Sequence, residues 1–275
     1  MKPARNRKEI ESMENYRKFL KSDRWEEWRK SETDQKRGVP VPSSEKPYPE
    51  DAMLITLVSP EDLTVGKMPL IEVIKHRRSR RRFSEEPLTM EELSFLLWAV
   101  QGVSTKEAHA ARRNESRELS ALPRAFFRTV PSGGARHPFE TYLLVNRVDG
   151  LQSGLYRYLP LANKLCFLYS DAELTERVHE ACYDQYAKDS AVTFVWTVIP
   201  YRTEWRYGIV SPKIIAQDSG HVCQNLYLAC EAIGAGMCAI GAYDQEKMDQ
   251  VLRVDGNEEF AIYVATVGKP ASNAT

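Results

Sequence analysis

The sequence predicts a protein of the α+β class, because helical and strand patterns occur in mixed order without regular alternation of strand and helix. The helical pattern is clearest at residues 89–102, where Thr89 and Glu92 can form a capping box ahead of an apolar stripe that ends at Gly102. The strand pattern is clearest at residues 192–199, a largely apolar run rich in β-branched residues, which is typical of a central buried strand. Together these patterns indicate helices packed against a sheet.

The other elements follow from the same two periodicities. We expect helices at residues 69–78, from about 171 to 182, at 218–233 and after Asp244. We expect strands at residues 139–148, 154–159, 165–169 and 259–267. Asp218 or Ser219 is the expected cap of the helix that runs to 233, and its apolar residues predict burial nearly all round. Residues 104–128 are polar and rich in Arg, so we expect a long loop there.

The first 68 residues differ from the rest, so we divide the chain into an N-terminal arm at 1–68 and a main domain at 69–275. Residues 1–37 are dominated by Lys, Arg and Glu, and residues 38–51 are too rich in proline for regular structure. We expect a surface helix and then an extended segment, with aromatic and apolar side chains that dock onto the main domain or a second subunit. These side chains are Tyr16, Phe19, Leu20, Trp25 and Trp28.

Composition excludes several classes of protein. The chain has 275 residues, 43% hydrophobic and 28% charged, which fits a globular protein and not a disordered one. Its 38 basic and 38 acidic residues give a net charge of +0, which argues against a nucleic-acid binder held by bulk charge. No apolar run is long enough for a membrane helix, and the N-terminus has no signal-peptide pattern. We therefore expect a cytoplasmic protein whose five cysteines are reduced and buried.

A basic run at residues 77–82 is the first candidate for chemistry. It contains Ser79, and Phe83 followed by the acidic pair Glu85 and Glu86 closes it. Guanidinium groups beside a hydroxyl form a good receptor for a phosphate monoester. A solvated basic face, or a local nucleic-acid patch, is the alternative at this point.

Two glycine-rich segments are further candidates. Residues 131–138 read Pro-Ser-Gly-Gly-Ala-Arg-His-Pro, and their small side chains would let a flat ligand approach the backbone, although an ordinary turn has the same composition. Residues 234–242 contain the G-x-G-x-x-A spacing of a dinucleotide-binding loop, but a predicted helix precedes them where that fingerprint needs a strand. No His lies at metal-ligand spacing from a second ligand, so we expect no metal site.

These motifs, taken in order, resemble the FMN-dependent nitroreductase family. The resemblance rests on residues 77–83, 131–134 and 240–243 and covers about residues 69–270. A closer likeness, to the branch that contains the azoline dehydrogenases, lies in Arg202, residues 205–208 and residues 218–225. The resemblance implies a sandwich in which helices cover both sides of a central mixed sheet. It also implies an intertwined homodimer with two FMN sites at the subunit interface.

The resemblance also implies roles for individual residues. Arg77, Arg78 and Ser79 would hold the FMN phosphate and ribityl chain, and Arg81 would lie near the N1–C2=O edge of the flavin. Lys269 is a further residue that could reach the phosphate. The flavin ring would be contacted by Pro131, Ser132 and Gly133 of the other subunit, and Ile240, Gly241 and Ala242 would present backbone near N5.

The chain departs from the family pattern at two places. Ala135 stands where many members have Asn, so a side-chain contact is lost there. Azoline dehydrogenases resemble one another in an adjacent Lys-Tyr pair, whose Lys removes a proton from the heterocycle, and this chain has Arg206 and Tyr207 at the matching place. An arginine stays charged in proteins and cannot serve as that base, although the pair can still anchor or orient a substrate.

Three functions remain open from the sequence, in addition to a binder of phosphate or nucleic acid through the basic run at residues 77–82. The first is an FMN oxidoreductase that passes a hydride from NAD(P)H to a small-molecule oxidant such as a nitroaromatic or a quinone, in ping-pong turnover. The second is an azoline dehydrogenase-like flavin oxidase. The third is a flavin-binding protein without turnover of its own.

Overall fold

The structure is a computed structural model that describes residues 7–105 and 127–271. The expected loop at 104–128 lies for the most part outside these residues. The helices are α1 (Arg7–Lys18), α2 (Trp25–Lys30), α3 (Leu70–His76), α4 (Met90–Gln101), α5 (Leu174–Ala181), α6 (Tyr201–Tyr207), α7 (Ser211–Ala232) and α8 (Gln245–Leu252). The strands are β1 (Leu54–Thr56), β2 (Val103–Thr105), β3 (Phe127–Arg128), β4 (Phe139–Val145), β5 (Gly154–Leu159), β6 (Lys164–Tyr169), β7 (Val192–Val198), β8 (Gly236–Ile240) and β9 (Phe260–Gly268).

Seven of these strands form one sheet in the order β1-β6-β5-β4-β7-β9-β8. Every strand pairing in it is antiparallel, so the expectation of a mixed sheet is wrong for these seven strands. For β4, β5 and β6 the reason is their short connections. These strands are consecutive in the chain and adjacent in the sheet, and adjacent strands joined by a short connection run in opposite directions. Among the described residues, parallel contacts occur only as two isolated bridges, one between Ser79 and Met237 at the β8 edge and one between Leu88 and Val148.

Helices cover both faces of the sheet, which confirms the expected α+β sandwich. Along β7, Phe194 and Trp196 point into the core shared with α4 and α7, while Val195 points to the opposite core shared with α5 and α8. This alternation follows from the two-residue period of a strand, and burial on both faces explains why β7 is largely apolar. Within the described residues, every helix is too short or too polar to span a bilayer.

The predicted elements are confirmed at α3, α4, α5, α8, β4, β5, β6, β7 and β9, and the capping box of Thr89 and Glu92 is present. The structure differs at α7, which begins at Ser211, with Pro212 in its first turn, so Asp218 lies inside the helix and does not cap it. The expectation that this helix is buried all round is also wrong for the single chain. Its outer stripe is exposed and consists of Ala216, Gln217, Gly220, His221 and Gln224.

The N-terminal arm is tied to the main domain at several points. Its strand β1 pairs with β6 at the edge of the sheet, and the indole of Trp28 donates to the backbone carbonyl of Arg206 in α6 at 3.1 Å. Trp25 and Trp28 therefore dock on the main domain, which is one of the two surfaces expected for them. Tyr16, in contrast, is 73% exposed. The boundary between residues 68 and 69 stays a prediction.

A buried ionic cluster fixes the proline-rich part of the arm to the sheet. Glu140 on β4 is 3% exposed and accepts hydrogen bonds from the Arg202 guanidinium at 2.6 Å and from the Lys46 backbone N–H at 2.8 Å. Arg157 on β5 lies 3.8 Å from the same carboxylate and donates to the backbone carbonyls of Lys46 and Pro47. Since buried charges are costly unless they are paired, this one carboxylate compensates two guanidinium groups and orders the arm.

We predict that Glu140→Gln lowers the free energy of unfolding by about 3–5 kcal/mol, because it leaves Arg157 and Arg202 buried without a counter-charge. The measurement is urea unfolding at neutral pH. The control is Glu176→Gln, which removes the half-exposed ion pair to Lys188 and should leave the free energy of unfolding nearly unchanged. Equal losses for the two variants would contradict the assignment of the buried cluster.

Candidate functional site

The predicted phosphate-binding residues gather where α3 ends against α7 and β8. The Arg77 guanidinium lies 5.1 Å from the centre of the Tyr227 ring, and the Ser79 hydroxyl is hydrogen-bonded to the Tyr227 hydroxyl at 2.9 Å. The bridge of Ser79 to Met237 and the hydrogen bond from the Arg80 N–H to the Met237 carbonyl hold this segment along β8. We call Arg77, Arg78, Ser79, Arg81 and Tyr227 the basic half-site.

The basic half-site carries positive charge that no carboxylate balances. Within the described residues, Arg77, Arg78 and Arg81 form no ion pair with an Asp or Glu. Arg78 donates to the backbone carbonyls of Lys75 and Arg77, at the C-terminal end of α3, where a cation is favourable. Burial raises the pKa of the Cys238 thiol, while the charge of Arg81 and its hydrogen bond to this thiol act against that rise.

The expected backbone segment at residues 240–242 continues from the same strand. Ile240 is the last residue of β8 and is buried, whereas Gly241 and Ala242 are exposed. A side chain added at Gly241 would meet no atom within 4 Å, so the backbone there borders open space. Met237 and Ile240 are three residues apart on a strand, which corresponds to about 10 Å. The arginines and the segment 240–242 therefore line one edge of the sheet.

Lys269, the residue directly after β9, forms an ion pair. Its ammonium group is paired with the carboxylate of Glu92, which also accepts from the Thr89 N–H in the capping box of α4. This pair joins the end of β9 to the start of α4. A phosphate role for Lys269 stays a prediction, and its charge is already compensated by Glu92.

The loop at residues 131–133 is anchored on α7 by Asp218. The Asp218 carboxylate accepts from the Ser132 hydroxyl at 2.7 Å and from the Gly133 N–H at 3.0 Å. The Ser132 hydroxyl in turn accepts from the His137 N–H at 2.9 Å. Asp218 is one of the two expected helix caps, but in the structure its side chain holds this loop instead.

Burial sets the protonation of two groups beside this loop. Desolvation raises the pKa of Asp218, and the hydrogen bonds from Ser132 and Gly133 act against that rise. Desolvation, together with nearby arginine charges, lowers the pKa of His137 to about 3. His137 is therefore a neutral imidazole at physiological pH and cannot act there as a proton donor in its cationic form.

Two glycines allow α6 and α7 to approach the loop closely. A side chain at Gly133 would meet the Ile214 methyl group at 2.4 Å, and one at Gly134 would meet the Tyr207 hydroxyl at 2.7 Å. Gly134 also has a φ of +58°, which favours glycine. The two glycines are therefore needed for close packing of the loop against α6 and α7, in addition to any role in letting a flat ligand reach the backbone.

The predicted catalytic pair lies beside the same loop. The Arg206 guanidinium lies 5.5 Å from the centre of the Tyr207 ring, and the Tyr207 ring contacts Trp25 at 6.2 Å and Trp28 at 6.1 Å between centroids. Burial lowers the pKa of the neighbouring Arg136, and the charge of Arg206 lowers it further. We call Pro131, Ser132, Gly133, Arg206, Tyr207 and Asp218 the loop half-site.

A cleft of about 510 Å³ opens at the loop half-site. It is lined by Trp25, Pro131, Ser132, Gly133, Tyr207, Ile214, Gln217, Asp218 and His221. No group of three or more His, Cys, Asp or Glu side chains suited to a metal ion occurs in residues 7–105 and 127–271. The lining of the cleft combines the rings of Trp25 and Tyr207 with polar groups, of which Ser132, Gly133 and Asp218 are joined by hydrogen bonds.

A single chain does not bring the two half-sites together. Asp218 and Tyr227 are nine residues apart on α7, which places them about 13 Å apart along the helix axis. The exposed stripe of α7 runs between them. Either half-site alone is an open surface.

Sequence reasoning missed the residues that connect the motifs. Tyr227 joins α3 to β8, since its hydroxyl also accepts from the Ala239 N–H at 3.1 Å, but no local pattern marks it. The sequence marks Trp25 only as an aromatic residue that is expected to pack against another surface. Asp218 and His221 lay in the stretch 218–225 that carried the closer likeness, and that likeness was the only signal for them.

Comparison with known proteins places this geometry in a family. A model described as the nitroreductase family matches residues 74–269. A Methanocaldococcus jannaschii protein named as a nitroreductase is 27% identical over 205 residues, which are 74% of this chain and 93% of that protein. The trifolitoxin-processing protein TfxB of Rhizobium leguminosarum bv. trifolii is 26% identical over 159 residues, 56% of this chain but only 43% of that protein.

Solved structures agree on the fold. A nitroreductase structure from Anabaena variabilis has a TM-score of 0.61 and 25% identity, with 81% of this chain and 42% of that chain covered. The E. coli microcin synthetase McbBCD complex with truncated pro-MccB17 bound has a TM-score of 0.58 and 17% identity, with 82% of this chain and 77% of that chain covered.

The name of one relative, for trifolitoxin processing, supports the likeness to the branch that contains the azoline dehydrogenases. Since the family model spans most of the chain, from the end of α3 to the end of β9, the chain belongs to the nitroreductase family.

Proposed function

We propose that this protein is an FMN-dependent oxidoreductase that passes a hydride from NAD(P)H to a small oxidant such as a nitroaromatic or a quinone. Membership of the nitroreductase family supports oxidoreductase chemistry. The observation that carries the proposal is the basic half-site, where arginines without carboxylate partners lie at the edge of β8. An uncompensated cluster of this kind fits a terminal phosphate.

The residues present fit the phosphate and ribityl parts of FMN. A phosphate monoester carries close to two negative charges at neutral pH, and arginine forks bind its oxygens in pairs. Arg77 and Arg78 supply the charge and Ser79 supplies a hydroxyl, while Tyr227 fixes the position of Ser79. Lys269 contributes less, because Glu92 already pairs with it.

When bound, FMN supplies the acceptance and donation of a hydride, and the protein supplies binding, orientation and electrostatics. Arg81 would place a positive charge beside the N1–C2=O edge and would stabilise negative charge there. Ile240, Gly241 and Ala242 would present backbone near N5, and Gly241 and Ala242 are exposed for this purpose. The cleft lined by Pro131, Ser132 and Gly133 would receive the hydride donor and then the oxidant in turn, which is the ping-pong order that we propose.

We predict that the purified protein carries FMN and not FAD, and that Arg78→Ala weakens FMN binding about tenfold or more, through loss of charge-assisted hydrogen bonds. Heat release followed by chromatography identifies the flavin, and flavin fluorescence gives the dissociation constant. The matched control is Arg82→Ala, which removes an exposed arginine of the same run. FAD, absence of flavin after reconstitution with FMN, or equal affinity of Arg78→Ala and wild type would contradict the prediction.

Anaerobic addition of NADPH or NADH then tests turnover. Loss of the flavin absorption band, followed by its return with a nitroaromatic, supports the oxidoreductase. A flavin band that neither nucleotide bleaches favours the alternative of a flavin-binding protein without turnover.

We infer that two copies of the chain complete each site. The two half-sites lie apart on α7, and α3 presents Leu70, Ile71 and Ile74 to solvent, with Ile71 62% exposed. An apolar helix face next to the basic half-site is typical of a subunit interface. Such a homodimer would bring the loop half-site of one subunit to the basic half-site of the other.

We predict that sedimentation at micromolar concentration gives about twice the chain mass of 31.5 kDa. Ile71→Glu should yield a monomer that has lost FMN, because a charge in an apolar interface is left without a partner. The control Leu161→Glu changes an equally apolar, exposed residue between β5 and β6 and should remain a dimer with FMN. A wild-type monomer with bound FMN would contradict this arrangement.

An azoline dehydrogenase-like oxidase is the second candidate, and the similarity to the trifolitoxin-processing protein favours it. Arg206 argues against this second candidate, because it occupies the sequence position at which azoline dehydrogenases have the lysine base. The Arg206 guanidinium lies against the Tyr207 ring, and its backbone carbonyl is held by Trp28. A permanently charged side chain can anchor an anionic group but cannot remove a proton from carbon.

We predict that the FMN-loaded protein reduces a nitroaromatic with NADPH but converts a thiazoline peptide to a thiazole slowly or not at all in the presence of oxygen. Arg206→Lys restores a group that can lose its proton, so it should raise thiazole formation while leaving FMN binding intact. Rapid thiazole formation by the wild type that Arg206→Ala abolishes and Arg206→Lys does not improve would overturn this reading.

A further inference from the structure

The cleft at the loop half-site has one wall that comes from the N-terminal arm. Trp25, the first residue of α2, lines this cleft together with Tyr207 and Ile214. The residues matched by the family model begin at 74, so Trp25 lies outside them. The arm therefore adds a side chain to the cleft that the matched part of the chain does not supply.

The arm is held firmly at this place. The Trp25 and Trp28 rings pack edge to face at 5.1 Å between centroids, and Trp28 donates to the Arg206 carbonyl. Before α2, the Lys213 ammonium group of α7 donates to the Leu20 carbonyl at 2.6 Å and to the Ser22 hydroxyl at 2.8 Å. Contacts on both sides of Trp25 thus fix its indole, which lowers the entropy cost of using it for binding.

The same contacts continue after α2. The Gln35 N–H donates to the Trp205 carbonyl at 2.9 Å, and the Trp205 indole donates to the Val39 carbonyl at 2.8 Å. The arm therefore follows α6 along its length. A displacement of the arm would remove the wall of the cleft and the cover of Tyr207 together.

The chemistry of the lining residues selects a class of ligand. The Trp25 and Tyr207 rings stand nearly perpendicular, at 84° and 6.2 Å, which gives a ligand ring one face and one edge to contact. Within the part of the chain that the structure describes, no Lys or Arg lines the cleft, and both oxygens of Asp218 accept hydrogen bonds from the loop. The exposed Gln217 amide and the exposed His221 imidazole remain as polar groups of the lining. These walls suit a neutral planar aromatic compound with one polar substituent.

We propose that Trp25 and Tyr207 bind the aromatic ring of a neutral, planar substrate, so that the N-terminal arm determines substrate specificity. The inference rests on the proposed function in one respect: the loop of residues 131–133 must border the reacting cofactor for a ring in this cleft to react. Binding of the ring itself requires only the cleft, and it can be measured without turnover.

The test is calorimetric binding to the FMN-loaded, oxidised, full-length protein with no reductant present. The probe is 4-nitrobenzamide, and the saturated analogue cyclohexanecarboxamide is the control ligand. We expect 4-nitrobenzamide to bind more tightly than the analogue, and Trp25→Ala to weaken it by about three- to tenfold, the scale of one aromatic contact. Trp25→Phe keeps a ring and should retain most of the affinity.

The matched control variant is Tyr16→Ala, which removes an exposed aromatic ring from the same arm away from the cleft and should leave the affinity unchanged. Affinity for 4-nitrobenzamide that is unchanged in Trp25→Ala, equal weakening by Trp25→Phe, or no binding to the wild type would overturn the proposal. Reduction of FMN by NADPH is measured on the same samples. Failure of that reduction counts against the proposed function alone, while normal reduction with unchanged ring affinity counts against the role of Trp25 alone.

Discussion

The length of α7 sets the distance between the two halves of the candidate site. Asp218 fixes the loop of residues 131–133 near the first half of this helix, and Tyr227 fixes the basic run against β8 near its second half. Because an α-helix rises 1.5 Å per residue and does not shorten, these anchors stay about 13 Å apart. As long as both anchors hold, the loop and the basic run stay apart within one chain, and this separation supports the proposal that two chains contribute to each site.

Each anchor is a polar group whose burial has to be compensated. Asp218 is 3% exposed, and the hydroxyl of Ser132 and the N–H of Gly133 offset the cost of burying its charge. Tyr227 shares its hydroxyl between Ser79 and the N–H of Ala239. Ser132 and Gly133 belong to the loop that Asp218 holds, and Ser79 belongs to the basic run that Tyr227 holds. The same hydrogen bonds therefore satisfy the polar groups of α7 and fix the geometry of the site.

The sequence predicted what local patterns control. The capping box of α4, the apolar strand β7 and the residues of the basic run were all visible in short windows, and the structure has α4, β7 and the basic run where they were expected. It could not predict the start of α7 or the place of Trp25. Those features depend on contacts between residues far apart in the chain, such as Trp28 with Arg206, and on a proline that begins a helix rather than interrupts it.

The residues that would choose the substrate are separate from those that would hold the cofactor. Arg206, Tyr207 and Trp25 form one group around α6, and the basic half-site lies at the other end of α7. Under the two proposals, an exchange of Arg206 for lysine would change whether a proton can be removed, and an exchange of Trp25 would change which ring is bound. Neither touches Arg77 or Ser79. A fold of this kind can therefore keep one redox cofactor while the arm and α6 adapt the reaction to different oxidants.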